Sequence, residues 1–177
     1  MKEQNPTAPD PAGPIAATDA GIANPRGGPL RNFRIGVVGA GVMGRGIAQI
    51  FAESNATVLL HDAAPDAADR ALVTLRDTWQ RLADRGRLDA ARVSALLAQV
   101  VTTDSLAAFA GCDVVIEAIV ERLDPKRALF VALEGVVEAG TILATNTSSL
   151  SVTAIAAGAA HPERIAGLHF FNPVPLM

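Results

Sequence analysis

An α/β domain built on a doubly wound, mainly parallel sheet with an inserted helical hairpin is the fold this sequence predicts, on three observations. Short β-branched apolar runs alternate with segments of helical period. A G-x-G-x-x-G turn at Gly39, Gly41 and Gly44 sits between the first such run and the first helix. Polar residues capable of chemistry fall where the runs end. The last of these matters because ligands of open α/β sheets lie beyond the carboxyl ends of the strands.

Residues 1–32 are rich in Pro, Ala, Gly, Asp and Asn without apolar period. Such a stretch cannot offset its ordering entropy, so it reads as a disordered tail, with the folded domain spanning 33–177. "FRIGVVG" is the first strand, and "IAQIFAES" places Ile47, Ile50 and Phe51 on one helical face. "ATVLLHD" follows as a second buried strand, which completes a right-handed βαβ unit. Leu72, Leu75, Trp79 and Leu82 form one apolar stripe and Val93, Leu96, Leu97 and Val100 another, joined by "DRGRLDA". Gly86 suits the left-handed residue after a helix and Asp89 the next N-cap, so this is the inserted αα-hairpin. "QVVTTD" and "CDVVIEAIV" are further strands around a short helix, "SLAAFAG". Asp124 as N-cap and Pro125 at the first helical position then open a helix that turns Phe130, Leu133, Val136 and Val137 inward and ends at Gly140. "TILATN" is a strand, "SVTAIAAGAA" a helix and "RIAGLHFF" the sixth and last strand. The arrangement is of Rossmann type.

A chain of 177 residues, half of them apolar, buries about two thirds of its unfolded surface as one globular domain. A net charge of -3 with scattered basic residues gives no footprint for nucleic acid or an anionic membrane. The single cysteine, Cys112, forms no internal disulfide, and no Cys/His spacing suggests a metal. No apolar run approaches the ~20 residues that span a bilayer. A cytoplasmic location is expected.

In the glycine turn the first glycine makes the bend, the second lets backbone approach a pyrophosphate and the third lets helix and strand pack closely. With Val42 and Met43 between them, these residues are the candidate dinucleotide cradle, although Met43 also suits plain packing. Asp62 ends the second strand, where a carboxylate accepts hydrogen bonds from ribose hydroxyls and repels a 2′-phosphate. With Ala63 and Ala64 after it rather than arginine, NAD is favoured over NADP. Asp62 could instead cap the helix after Pro65.

"IGVVGAGVMGRGIAQIFA", "VIEAIVERLDPKRALF", "ATNTSSLSVTAIA" and "GLHFFNPVPLM", in this order, resemble the N-terminal domain of the L-3-hydroxyacyl-CoA dehydrogenases across essentially all of 33–177. The resemblance implies oxidation of the 3-hydroxyl of an acyl-CoA with hydride passing to NAD. Imidazole suits the accompanying proton transfer near neutral pH. It implies His169 as that base, Ser148 as the hydrogen-bond partner of the substrate oxygen, and Asn146 and Asn172 as residues that fix this region, Asn172 beside the nicotinamide or the reacting group. Glu121 is implied near the cofactor ribose, Lys126 near the CoA phosphates, and Thr78 and Arg85 in contact with CoA. On residue pattern alone, "ERLDPKR" reads as solvated surface charge. His61 and His161 read as core histidines. The family's imidazole-orienting glutamate, its helical C-terminal domain and its homodimer contacts fall past Met177 in this alignment of motifs. The 177-residue chain is therefore expected to bind NAD and to turn over slowly or not at all by itself. Two other readings stay open: a non-catalytic nucleotide-binding or crystallin-like protein, and an NAD-dependent dehydrogenase of another hydroxy acid.

Overall fold

The computed structural model describes residues 33–176. The expected disordered tail, 1–32, lies outside the described residues. Six strands form one sheet: β1 (Arg34–Val38), β2 (Thr57–His61), β3 (Val100–Thr103), β4 (Val114–Glu117), β5 (Ile142–Thr145) and β6 (Ile165–Gly167). All pairings are parallel, in the order β3-β2-β1-β4-β5-β6. The order reverses between β1 and β4, which is where this topology opens a crevice.

Alternation of side chains along the strands divides the core into two layers. Ile35, Val37, Val58, Leu60, Ile116 and Ala144 face one side, where they pack with α1 (Val42–Glu53), α2 (Ala67–Asp84) and α3 (Ala90–Ala98). Val38, Leu59, Val115 and Leu143 face the other, against Phe109 and against Phe130 and Leu133 of α4 (Leu123–Glu134) and Ile155 of α5 (Val152–Ala156). Cover on both faces explains why the central strands are apolar almost throughout. Cys112 belongs to the second layer, and burial pushes its thiol up to about 11 against the opposing pull of Arg34.

The hairpin of α2 and α3 forms as expected. Gly86 has φ 69°, and Asp89 accepts a hydrogen bond from the Arg92 amide at 2.6 Å. Trp79 is fully buried with its indole N–H donating to Glu53 at 2.8 Å. Arg92 ties α3 to the end of α1 through the Glu53 carbonyl and the Asn55 side chain, each at 2.9 Å.

Several local expectations are corrected. "SLAAFAG" is a 3-10 turn over Leu106–Gly111. α4 starts at Leu123 after an extended Arg122, so Asp124 lies inside the first turn, and it ends at Glu134. Pro125 is tolerated there because the first four helical N–H groups have no intrahelical acceptor, and Asp124 complements the helix dipole. Val136 is only half-buried, in the turn beyond the helix. The last strand stops at Gly167. Leu168 still donates to the Thr145 carbonyl at 2.9 Å, but the Phe170 amide is taken by the Asn146 side chain at 2.8 Å, which bends the chain off the sheet. His161 is exposed beside Glu163, while His61 is buried with Nδ1 2.9 Å from the Thr103 carbonyl.

Candidate functional site

The crevice at the reversal point begins with the glycine turn. Gly39 follows β1 with φ 103°, a region closed to most side chains, and a Cβ there would lie 2.5 Å from the Ala118 carbonyl beyond β4. A Cβ on Gly44 would lie 1.7 Å from the Gly39 carbonyl, so α1 can start this close to β1 only without a side chain. A Cβ on Gly41 would meet nothing within 4 Å. The middle glycine thus faces open space while its neighbours are clamped, as a backbone-lined cradle requires.

α1 starts at Val42 with no side-chain cap and no acidic residue in its first turn. Its leading N–H groups are therefore free to receive an anion, with the helix dipole favouring negative charge. Beyond the turn a pocket of about 750 Å³ runs past Gly41, Val42, Met43 and Asp62 to Ile119 and Leu129. Asp62 does not cap a helix: the N-cap of α2 is Asp66. Its carboxylate instead accepts from the Ala40 amide at 2.7 Å and from the Ala64 amide at 2.8 Å, which fixes the acid against the glycine turn. Each oxygen keeps a lone pair for a ribose hydroxyl. The glycines, the uncapped helix start and Asp62 fit a dinucleotide.

The second half of the crevice, about 340 Å³, shares Met43, Ala118 and Ile119 with the first. Around it stand Glu121, Lys126, Asn146, Ser148, His169 and Asn172, contributed by the loop after β4, the start of α4, the turn after β5 and the segment after β6. His169 is exposed, its ring 4.6 Å from that of Phe171. The segment carrying it is pinned at two points beyond His169: Phe170 packs edge-on against Phe51 at 6.3 Å, and Val174 is buried over Gly46, where a Cβ would come within 2.8 Å of it.

Lys126 is the clearest departure from the residue-pattern reading as a surface charge, since it is only 1 % exposed. Its ammonium lies 2.5 Å from Glu117, which is fully buried, and 3.1 Å from Glu121. Glu117 is otherwise satisfied by the Ile119 amide at 2.7 Å and the Thr145 hydroxyl at 2.6 Å. A buried pair is sustained only when its remaining lone pairs are met in this way. Sequence reasoning missed it, though an acid closing an all-apolar strand was the available signal.

Glu121 collects hydrogen bonds from the Thr147 and Ser149 hydroxyls and from the Ser148 and Ser149 amides. Partial burial pushes its carboxyl up, but the Thr147 hydrogen bond and the Lys126 hydrogen bond and charge outweigh that and bring it down to about 2. Glu121 therefore holds the N-T-S turn that presents Ser148. The two hairpin residues stand apart from both halves of the crevice. The Thr78 hydroxyl donates to Thr74 and accepts from Arg81, and Arg85 is exposed at the end of α2. Among the described residues no His/Cys/Asp/Glu group could hold a metal, and no helix is long and apolar enough to cross a membrane.

Sheet order and glycine cradle together define a dinucleotide-binding domain of the oxidoreductase type. Comparison with known proteins narrows the class. The family model described as 3-hydroxyacyl-CoA dehydrogenase, NAD binding domain, matches residues 34–177. The chain is 44 % identical to the 3-hydroxyadipyl-CoA dehydrogenase of Escherichia coli over 143 residues, 81 % of this chain and 30 % of that protein. It is 42 % identical to a probable 3-hydroxybutyryl-CoA dehydrogenase of Deinococcus radiodurans, covering 82 % of this chain and 52 % of that protein. The crystal structure of 3-hydroxybutyryl-CoA dehydrogenase from Escherichia coli superposes with a TM-score of 0.80 at 43 % identity, over 82 % of this chain and 31 % of the other. This chain belongs to the 3-hydroxyacyl-CoA dehydrogenase family, as its NAD-binding domain. It spans about a third to a half of the length of these relatives.

Proposed function

We propose that the protein carrying this domain oxidises an L-3-hydroxyacyl-CoA to the 3-oxoacyl-CoA, with NAD held by Gly39, Gly41, Val42, Met43, Gly44 and Asp62. The observation that carries this reading is the single pocket that gathers Ser148, Asn146, His169 and Asn172 at the inner end of the glycine-turn crevice. NAD, when bound, accepts the hydride from C3. The chain's own residues handle the proton: an unprotonated ring nitrogen of His169 takes it from the 3-hydroxyl, and the same group returns it in the reverse direction. Ser148 donates a hydrogen bond to the reacting oxygen and is not a nucleophile. Asn146 keeps the His169 segment in place through the Phe170 amide, and Asn172 contacts the nicotinamide side or the reacting group. Glu121 and Lys126 border the cofactor ribose, Lys126 next to the CoA phosphates, and CoA extends along Thr78 and Arg85. A homodimer in the cytoplasm, acting in fatty-acid or related acyl-CoA degradation, belongs to the same reading. The relatives include fatty acid oxidation complex alpha subunits at 37 % identity, which supports that setting.

Replacing His169 by Gln in the enzyme that carries this domain is expected to lower kcat with a 3-hydroxyacyl-CoA by ~10²–10⁴-fold, the usual contribution of a general base, with NAD affinity kept. Unchanged turnover in His169→Gln rejects the assignment.

A further inference from the structure

His61 has no part in the proton transfer, yet it lines the larger half of the crevice while only 9 % exposed. It closes β2, where side-chain alternation turns it toward the same layer as Leu59, and its ring stands edge-on to Phe109 at 6.2 Å. Nδ1 lies 2.9 Å from the carbonyl of Thr103, its partner in the β2–β3 register. A carbonyl oxygen only accepts, so Nδ1 carries the proton, and in the neutral ring Nε2 is left with a lone pair. The opposite tautomer would set two lone pairs against each other inside the fold. Among the described residues Nε2 has no hydrogen-bond partner, and the ring stands in no ion pair. Nor is Nε2 sealed in the interior, since the one fully buried side-chain nitrogen or oxygen without a partner among the described residues belongs to Arg164. It is a bare acceptor at the pocket wall.

Apart from Asp62, His61 is the one side chain of this lining with a nitrogen or oxygen atom. Leu106, Ile119, Val120, Pro125 and Leu129 make the remaining walls apolar, which suits the flat faces of an aromatic base. With the pyrophosphate on the glycine turn, the nicotinamide toward His169 and a ribose on Asp62, the base carried by that ribose enters this part of the crevice. The geometry points to His61 as the residue that reads it: Nε2 accepts a hydrogen bond from the 6-amino group of adenine. The inference rests on the dinucleotide reading of the crevice and adds base selectivity to it. Adenine meets the acceptor with a donor. A base with an oxygen at C6, as in hypoxanthine, would set lone pair against lone pair. The main chain holds the ring in place for this choice, because the His61 carbonyl accepts from the amide of Gly39, the first residue of the glycine turn, at 2.8 Å.

Calorimetric titration of the 177-residue chain with NAD and with its 6-oxo analogue, nicotinamide hypoxanthine dinucleotide, tests this. Wild type is expected to bind NAD at least ~10-fold more tightly, the difference expected when a buried acceptor loses its donor. His61→Asn keeps a side-chain N–H near the Nδ1 position for Thr103 but ends short of Nε2. It should weaken NAD and bring the two dinucleotides within ~2-fold of each other. Equal affinities in wild type overturn this inference alone, whereas failure to bind either dinucleotide overturns the reading beneath it. A His61→Asn variant that keeps the wild-type preference also overturns the inference, because the discrimination would then arise elsewhere. The nitrogen resonance of His61 Nε2 gives a check that needs no variant: it should move further on adding NAD than on adding the analogue, and equal movement counts against the assignment.

Discussion

The two ends of the crevice are built in different ways. At the glycine-turn end, position is set by backbone and by contacts that admit no extra atom: the Gly39 amide bonds the His61 carbonyl at 2.8 Å, the Ala118 amide bonds the Val38 carbonyl at 2.7 Å, and Gly44 sits against Gly39. At the histidine end, an exposed side chain rides on a segment that has left the sheet and is pinned at Phe170 and Val174. The first arrangement suits a ligand whose phosphates need fixed amide groups. The second suits a group that must meet a substrate and exchange a proton, since segments with few buried contacts open most readily. Under the histidine end, the buried Glu117–Lys126 pair and Glu121 anchor the loops but leave His169 itself free of them.

The largest expected effect comes from breaking the rigid end. Gly44→Ala puts a carbon where only 1.7 Å separates it from the Gly39 carbonyl, and both partners are backbone. Urea unfolding should show a loss of at least about 3 kcal/mol, at the severe end for overpacking, with NAD binding lost as well. A midpoint like that of wild type would mean that the turn yields, and the contrast between the two ends would disappear.

Gly46→Ala acts on the other end from the same helix. The new Cβ would come within 2.8 Å of Val174, a side chain near the end of the described residues, so the terminal segment is expected to lift. Alanine is also the better helix former by about 1 kcal/mol, which offsets part of the lost contact. Global stability should change little, while amide exchange across Leu168–Val174 rises by ~10-fold or more and NAD affinity holds. Equal loss of NAD affinity would show the two ends to be mechanically one.

The same division decides what the sequence discloses. The glycine turn, the hairpin ends at Gly86 and Asp89 and the strand alternation are local patterns, each fixed by the conformation of a few consecutive residues, and each folds as its pattern implies. Lys126 is different. In "ERLDPKR" it sits among charges, yet its environment is set by Glu117 nine residues earlier and by Thr145 on the neighbouring strand. Only the pairing of β4 with β5 brings these together. The premature end of β6 has the same origin, since Asn146, on another strand's turn, captures the Phe170 amide. His61 likewise meets the Thr103 carbonyl only once β2 and β3 pair.

The smallest expected effect lies at the join, in Glu121. Its carboxyl falls from 4.5 to about 2 in the folded chain, while an unfolded glutamate titrates near ~4.3. The folded state thus binds the proton less readily than the unfolded state, so the contribution is fully present above pH ~4.5 and is lost as pH falls toward 2. The side chain is 38 % exposed, and solvent screening reduces what the shift alone would suggest to below about 1 kcal/mol. Glu121→Gln removes the titration, so between pH 5 and 2 the variant should lose stability less steeply than wild type by that amount. Because Glu121 receives the Thr147, Ser148 and Ser149 groups, the same acid interval should loosen the turn presenting Ser148 before the glycine turn yields. Parallel acid profiles for the two proteins, or amide signals of the Gly39–Gly44 turn that shift together with those of Thr147–Ser149, would show that Glu121 does not hold the histidine end separately.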